Sequence, residues 1–390
     1  MAHNSGPQQN YSPWDAPTLP PGQGQNVAPP PLPLTPDTAS LPPGDYPPPT
    51  PPRRRPPNTR QFGRRGRIIR RVLLALLLLA LLGAGLLAHR MWDFGSAISN
   101  QGPLTTQTRF MSGNGRVNVL VLGYGGGNHP GPYLTDTMMV ISLNLSDHAT
   151  TMISVPRDLW VQVPPGSGDY SKLNTAYVNG LESGFNGIAA GPVAGGAEAA
   201  QKVTEITGLK IDYWLTINFN GFRALVDALG GVDIDVPVGW TAINLGGDGL
   251  PGNGVATFKA GWQHMDGERA LQYARARYIT NPASEGTDFA RAKRQQVLLR
   301  AIVDRTRSPG SWPHLFGAMD ALQQTIYSNL SLADLLSLME KADFNHAAQV
   351  GLTTQNVLVN GVTSDGQDIL QPANGDWNAV QQYVAAHLKP

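Results

Sequence analysis

Arg275 and Arg277 in YARAR, and Arg291, Arg294 and Gln295 in DFARAKRQQ, stand close together in a stretch of chain that is otherwise nearly neutral. Arginine presents a planar fork of donors that takes phosphate oxygens two at a time. Upstream, SVPRD carries Arg157 and Asp158, and YLTDTMM carries Asp136. Several such arginines at the edges of apolar segments predict a pocket for a pyrophosphate.

Spacing sharpens this expectation for some residues. Arg291, Arg294 and Gln295 fall at i, i+3 and i+4, so on a helix they share one face, which Leu298 continues. A polar end merging into an apolar stripe could meet a phosphate head and a greasy tail; a surface helix with a salt bridge to Asp288 reads equally well. Arg275 and Arg277 face the same way only if the helix frays after Ala274, and a helix C-terminus favours cations in any case. Asp136 at the mouth of a strand could hold Mg²⁺ through its oxygens, or cap a turn. Arg157 at the SVPRD bend either points into a cleft or belongs to a surface turn. Lys172 and Asn174 in KLNTAYVNG share a face in extended chain, although a strand lysine is usually solvated.

Other chemistries find little support. The glycine-rich GYGGGNHPG after an apolar strand resembles a phosphate-cradling loop, but it is neither a Walker A sequence nor a G-x-G-x-x-G opening a helix. It reads as a site or as a connector. Histidines are scattered, with no H-E-x-x-H and no G-x-S-x-G elbow. The chain has no cysteine, which excludes disulfides and thiolate metal sites. A net charge of +1 does not mark a nucleic-acid binder.

The elements that must position these residues begin with a Pro-, Gly-, Gln- and Ser-rich segment containing PPPLPLTP and PPPTPP. It has too little apolar surface to offset chain entropy. Residues 1–67 are therefore expected as a disordered Pro/Arg-rich cytoplasmic tail, serving as a spacer or as a docking site for Pro-binding modules. An arginine run from Arg53 to Arg71 precedes the unbroken apolar stretch Val72–Ala88. With its flanks, this stretch predicts a transmembrane helix at 68–90. The basic excess before it places the N-terminus in the cytoplasm and the remainder outside, in a single-pass topology. A cleavable signal peptide is the rival reading, and the long preceding tail argues against it.

A linker at 91–115 then leads to an extracytoplasmic domain at 116–390. Strands are predicted at 116–123, 137–145, 150–155, 159–163, 213–218 and 232–236. Helices are predicted at 195–207 ending at Gly208, from Asn218 or Asn220 through Leu229, at GERALQYA capped by Asp266, at Phe289–Arg307 capped by Asp288, and near 313–325, 331–341 and 376–388. Phe219, Phe222, Leu225, Val226 and Leu229 read as a core face or as the wall of a lipid slot. Strands mixed with helices over this length predict a three-layer α-β-α sandwich with a mixed central sheet.

Taken in order, LVLG, TDTMM, SVPRDLWV, KLNTAYVNG, NFNGFRALVDALGGVDI, GERALQYARAR and DFARAKRQQ resemble the LytR-CpsA-Psr family of membrane-anchored glycopolymer phosphotransferases, from about Arg116 to about Leu335. The resemblance implies transfer of a polyprenyl-pyrophosphate-linked glycopolymer to peptidoglycan with Mg²⁺, and an α-β-α fold with a hydrophobic cavity for the polyprenyl chain. It implies that Asp136 binds Mg²⁺, that Arg157, Lys172, Arg275, Arg277, Arg291 and Gln295 contact the pyrophosphate, that Arg294 is a further substrate-binding residue, and that Asp288 orients the arginines. One departure stands out. Gly125 occupies the position where the family pattern L-G-x-D has its Asp, and Leu134 the position of a family Arg. A metal ligand is therefore missing, or is supplied by His129, Asn128 or a water. Two non-catalytic alternatives remain: a polyprenyl-phosphate-binding sensor signalling through the tail, and a structural wall anchor.

Overall fold

The computed structural model describes residues 60–98, 115–127, 129–243, 254–279, 281–308, 317–318, 320, 322–323 and 325–390. The expected tail up to residue 59, most of the linker and most of the helix near 313–325 lie outside the described residues, as does Asn128.

Helix α1 runs from Arg60 to Ile98, longer at both ends than the predicted span. The chain has no proline between Asn58 and Ile98 to stop it. At the far end, tertiary packing extends the helix where a linker was expected. Phe94 is buried with Leu322, Ile326 and Leu332, and Arg90 forks onto both oxygens of Asp320 at 2.7 Å. Within α1, Ile69–Ala97 is long and apolar enough to cross a membrane, and its side chains up to Arg90 are exposed.

In chain order there follow β1 (Arg116–Tyr124), β2 (Thr135–Asn144), β3 (Thr150–Ser154), β4 (Trp160–Gln162), β5 (Tyr170–Lys172), α2 (Thr175–Ser183), α3 (Pro192–Thr207), β6 (Tyr213–Asn218), α4 (Phe219–Ala228), β7 (Val232–Val236), β8 (Trp240–Ala242), β9 (Ala256–Phe258), β10 (Gly261–Met265), α5 (Gly267–Arg275), α6 (Asp288–Arg307), β11 (Ile326–Ser328), α7 (Leu332–Lys341), β12 (Ala348–Gly351), β13 (Leu358–Val362), β14 (Asp368–Pro372) and α8 (Trp377–His387). The expected mixed sheet is present, six strands in the order β11-β6-β1-β2-β3-β12. Strand β1 runs parallel to β6, and β3 parallel to β12, while β2 is antiparallel to both of its neighbours. Strands β1, β3, β6 and β12 therefore end at the same edge, where open α/β sheets bind ligands.

Period-two alternation sorts the sheet's side chains into two cores. Leu120, Leu122, Met138, Val140 and Ile153 face α2, α3 and α8. Val119, Met139, Ile141, Leu143 and Met152 face α6 and α7. A third cluster joins Val226 and Leu229 of α4 to β7, β8, β9, α5 and Leu298. Of the apolar stripe, Val226 and Leu229 are core and Phe222 and Leu225 pack against it, while Phe219 lies under Arg275 instead.

Several caps follow the sequence. Asn218 accepts from Gly221 N, and Asp266 from Arg269 N. Helix α6 differs: its cap is Thr287, which accepts from Ala290 N, and Asp288 is its first helical residue. Helix α2 was not anticipated, because KLNTAYVNG was read as extended. Asn174 already has helical φ and ψ of −63° and −12°, so it does not share a strand face with Lys172.

Helix α3 lies close on the sheet because Gly196 presents no side chain. A Cβ there would stand 2.3 Å from the Trp214 ring of β6. Gly196→Val is expected to lower stability by about 1–3 kcal/mol through overpacking. The check is the thermal unfolding midpoint of the purified chain; an unchanged midpoint would mean that α3 stands off the sheet.

Candidate active site

The shared edge of the sheet opens into a cleft of about 560 Å³. Asp136, Thr137 and Met138 of β2 line it, with Ser154 to Asp158 after β3, the first turns of α6, and the loop Gly351–Gln355 after β12. Five of the anticipated charged or polar groups meet here with Asp158: Asp136, Arg157, Asp288, Arg291 and Gln295. The first turn of α6 lines the cleft through Thr287 and Asp288, with Thr287 Oγ1 accepting from Ala290 N. Met138, Val155, Leu352 and Phe289 supply apolar surface.

Arg157 is the hinge of the electrostatics. It bonds Asp136 through Nη1, and its Nε reaches Asp158 Oδ2 at 3.4 Å. Lys172 Nζ closes on Asp158 Oδ1 at 3.2 Å. Burial would lower the Arg157 pKa, but Asp136 and Asp158 together outweigh it, and the net direction is upward. The Asp136–Arg157–Asp158–Lys172 ladder thus joins β2, the β3–β4 turn and β5.

Arg291 is in the opposite state. Burial and the like charge of Arg277 push it down to about 10, with Asp288 opposing and Arg157 adding a further downward pull. Its Nη1 lies 2.7 Å from Asp288 Oδ1, but out of line for a hydrogen bond. Asp288 itself is largely exposed. A desolvated, underpaired guanidinium facing a cleft has the chemistry to take an anion.

Arg294, three residues on, does not line the cleft. It is buried, and Nε donates to Tyr273 O at 3.0 Å, Nη1 to Glu285 O at 2.8 Å and Nη2 to Ala276 O at 2.5 Å. The shared face expected for Arg291, Arg294 and Gln295 is split by burial, with Arg294 bracing the end of α5. Helix α5 runs through Arg275, one residue beyond the predicted fray, and the chain extends from Ala276. Arg277 is half-buried and acts on Arg291. Arg275 stands beside the cleft on the β1–β6 side rather than in its lining: its guanidinium lies over the Phe219 ring at 3.9 Å, and Nη2 contacts His129 Nε2 at 3.1 Å.

Asp136 is already committed to Arg157. At Gly125, a Cβ would meet the His129 ring at 2.5 Å, so the room for a second carboxylate is filled by imidazole. Among the described residues no three His, Cys, Asp or Glu side chains gather as a metal site. The residues present do not fit the two-carboxylate Mg²⁺ arrangement implied by the resemblance.

Thr353, Thr354, Gln355 and Asn360 form a further wall that the sequence did not flag. Its only signal was a polar turn, TTQN, between two short strands.

Comparison with known proteins agrees with the fold. The LytR_cpsA_psr family model matches residues 94–385, and the chain belongs to that family. Similar curated proteins include the polyisoprenyl-teichoic acid–peptidoglycan teichoic acid transferase TagU of Enterococcus faecalis, 27% identical over 81% of this chain and 95% of the relative. The transferase TagV of Bacillus subtilis is 27% identical over 53% of this chain, and the match spans about half of the relative, 47%. Among solved structures, B. subtilis TagV superposes with a TM-score of 0.52 at 22% identity over 71% of this chain and all of that one. A structure of TagT bound to LIIa-WTA superposes with a TM-score of 0.51 at 22% identity, covering 75% of this chain and 98% of that one. These superpositions speak for the fold.

Two outcomes separate the neighbouring arginines. Arg294→Ala is expected to strip donors from buried carbonyls and cost about 1–3 kcal/mol for each one left bare, read as a lowered unfolding midpoint. Diphosphate binding, followed by titration calorimetry, should hold level from neutral pH upward and fall as the pH rises through about 10, where Arg291 loses its proton. A fall centred near neutrality would assign the controlling proton to another group.

Proposed function

We propose that this chain is a membrane-anchored transferase that moves a glycopolymer from a polyprenyl-pyrophosphate carrier to a peptidoglycan hydroxyl. The observation that carries the reading is the meeting of Asp136, Arg157, Asp158, Arg291 and Gln295 in one cleft at the carboxyl edge of the sheet. The transferase names of the relatives, and the teichoic acid in the names of both, support the substrate class.

Phosphoryl transfer depends chiefly on positioning and on stabilising charge. Arg157 and Arg291 grip the pyrophosphate from opposite walls, with Arg277, Lys172 and Gln295 completing the ring. The acceptor hydroxyl attacks the phosphorus that bears the glycopolymer. The phosphoanhydride bond breaks, polyprenyl phosphate leaves, and the proton passes to a cleft carboxylate, Asp136 or Asp158. The apolar wall of Met138, Val155, Leu352 and Phe289 receives the start of the polyprenyl chain. Helix α1 is the anchor, and the basic residues preceding its apolar stretch set the domain outside the cytoplasm.

Arg291→Ala is expected to reduce ligation in membranes by about 10²- to 10³-fold, the scale of losing one charge-stabilising donor, while the unfolding midpoint stays near that of the unaltered chain. Ligation at the unaltered rate would refute the assignment.

A further inference from the structure

The wall that the loop after β12 and strand β13 give to the cleft is polar but carries no charge. Within the loop, Asn356 is spent on bracing. Its Oδ1 accepts from Thr353 N at 2.8 Å and from Val357 N at 2.7 Å, and its Nδ2 donates to Gly351 O at 2.9 Å and Tyr383 Oη at 3.1 Å. Thr353 O takes the N–H groups of Val357 and Leu358. The side chains of Thr354, Gln355 and Asn360 are different. They line the cleft, they are exposed, and they make no hydrogen bond or ion pair with any described residue.

Main-chain bonds fix this wall against the ladder. Leu352 N donates to Ser154 O at 3.3 Å, and Leu370 N to Asp158 O at 2.9 Å. Asn360 stands opposite Leu370 across the β13–β14 pair, so both side chains fall on one face, and both line the cleft. The amide wall and the Arg157–Asp158 turn are therefore parts of one frame. The chemistry of the cleft is divided accordingly: Arg157 and Arg291 bring positive charge, Met138 and Val155 are apolar, and this wall offers neutral donors and acceptors. A hydroxyl or a carboxamide presents donor and acceptor side by side, which is what the hydroxyl and acetamido groups of a sugar ring present in return. A carboxylate here would repel a neighbouring diphosphate, and a guanidinium would compete for it.

We propose that Thr354, Gln355 and Asn360 are a sugar subsite, binding an uncharged pyranose beside the diphosphate. That ring is either the one bonded to the carrier or the one that supplies the attacking hydroxyl. The inference rests on the reading of the cleft as a diphosphate site.

The test uses the full chain in detergent and two probes in titration calorimetry: farnesyl diphosphate, and farnesyl diphosphate carrying N-acetylglucosamine on its terminal phosphate. The variant is Gln355→Ala with Asn360→Ala, whose unfolding midpoint should match that of the unaltered chain because both side chains are exposed. If the wall holds the carrier's sugar, the sugar-bearing probe binds about tenfold tighter than the bare one, the scale of one or two hydrogen bonds. The double variant then cancels that gain and binds the bare probe within about threefold of the unaltered chain. If the wall holds the acceptor's sugar, the double variant binds both probes as the unaltered chain does, and ligation to peptidoglycan fragments shows an acceptor KM raised about tenfold with kcat held. An equal loss for both probes makes the wall part of the diphosphate site and overturns the sugar assignment. Probe affinities and acceptor KM all unmoved by the double variant overturn the inference and, with the bare probe still bound, leave the diphosphate reading intact. No binding of either probe to the unaltered chain overturns the diphosphate reading and this inference with it.

Discussion

Arg157 is shared by two carboxylates, and the cleft takes its shape from that sharing. Asp136 stands at the start of β2 and Asp158 in the turn beyond Pro156, so one guanidinium fastens a sheet strand to the loop leaving the neighbouring strand. Lys172 then fastens that loop to β5. Charges alternate along the ladder, so each like charge is separated from the next by an opposite one. Burial, which by itself would weaken the Arg157 proton, is more than offset. The wall is braced by ion pairs before any ligand arrives, and pre-organised charge is what phosphoryl transfer requires.

The opposite wall is left unbalanced. Arg291 enters from α6 with a poorly aligned, exposed partner, and Arg277 and Arg157 both press on it. An anion placed between the walls relieves that pressure. Three residues along the same helix, Arg294 is fully engaged with main-chain oxygens and holds the end of α5 against α6. The two arginines differ in their partners: one is engaged in fixing YARAR, and the other lines the cleft.

The parts of this arrangement legible in the sequence were those governed by local pattern. The period-two apolar runs of β1, β3, β6 and β7 and the caps Asn218 and Asp266 depend on neighbours in the chain, and they appear where pattern put them. Motif order brought Asp136, Arg157, Arg291 and Gln295 to one cleft. What was not legible depends on distant partners. Spacing made Arg294 equivalent to Arg291, and only the carbonyls of Tyr273 and Ala276 separate them. Strands β11 and β12 are short and gain their form from pairing with β6 and β3, more than a hundred residues away, which no window of sequence contains. The continuation of α1 through Phe94 depends on Leu322 and Ile326, more than two hundred residues away.

That continuation bears on how a lipid-linked substrate could be handled. Had the chain unwound at residue 91, the domain would hang from its anchor on a flexible tether and sample many heights and tilts. Instead the helix carries on into the domain, with Phe94 buried and Arg90 forked onto Asp320. Two side chains one turn apart, one apolar and one charged, restrain both the depth and the rotation of the helix against the fold. For the proposed lipid-linked diphosphate, which would sit near the headgroups, a fixed reach is an advantage. Restraining the anchor removes orientational freedom before the encounter, the same economy that the Arg157 ladder applies within the site itself.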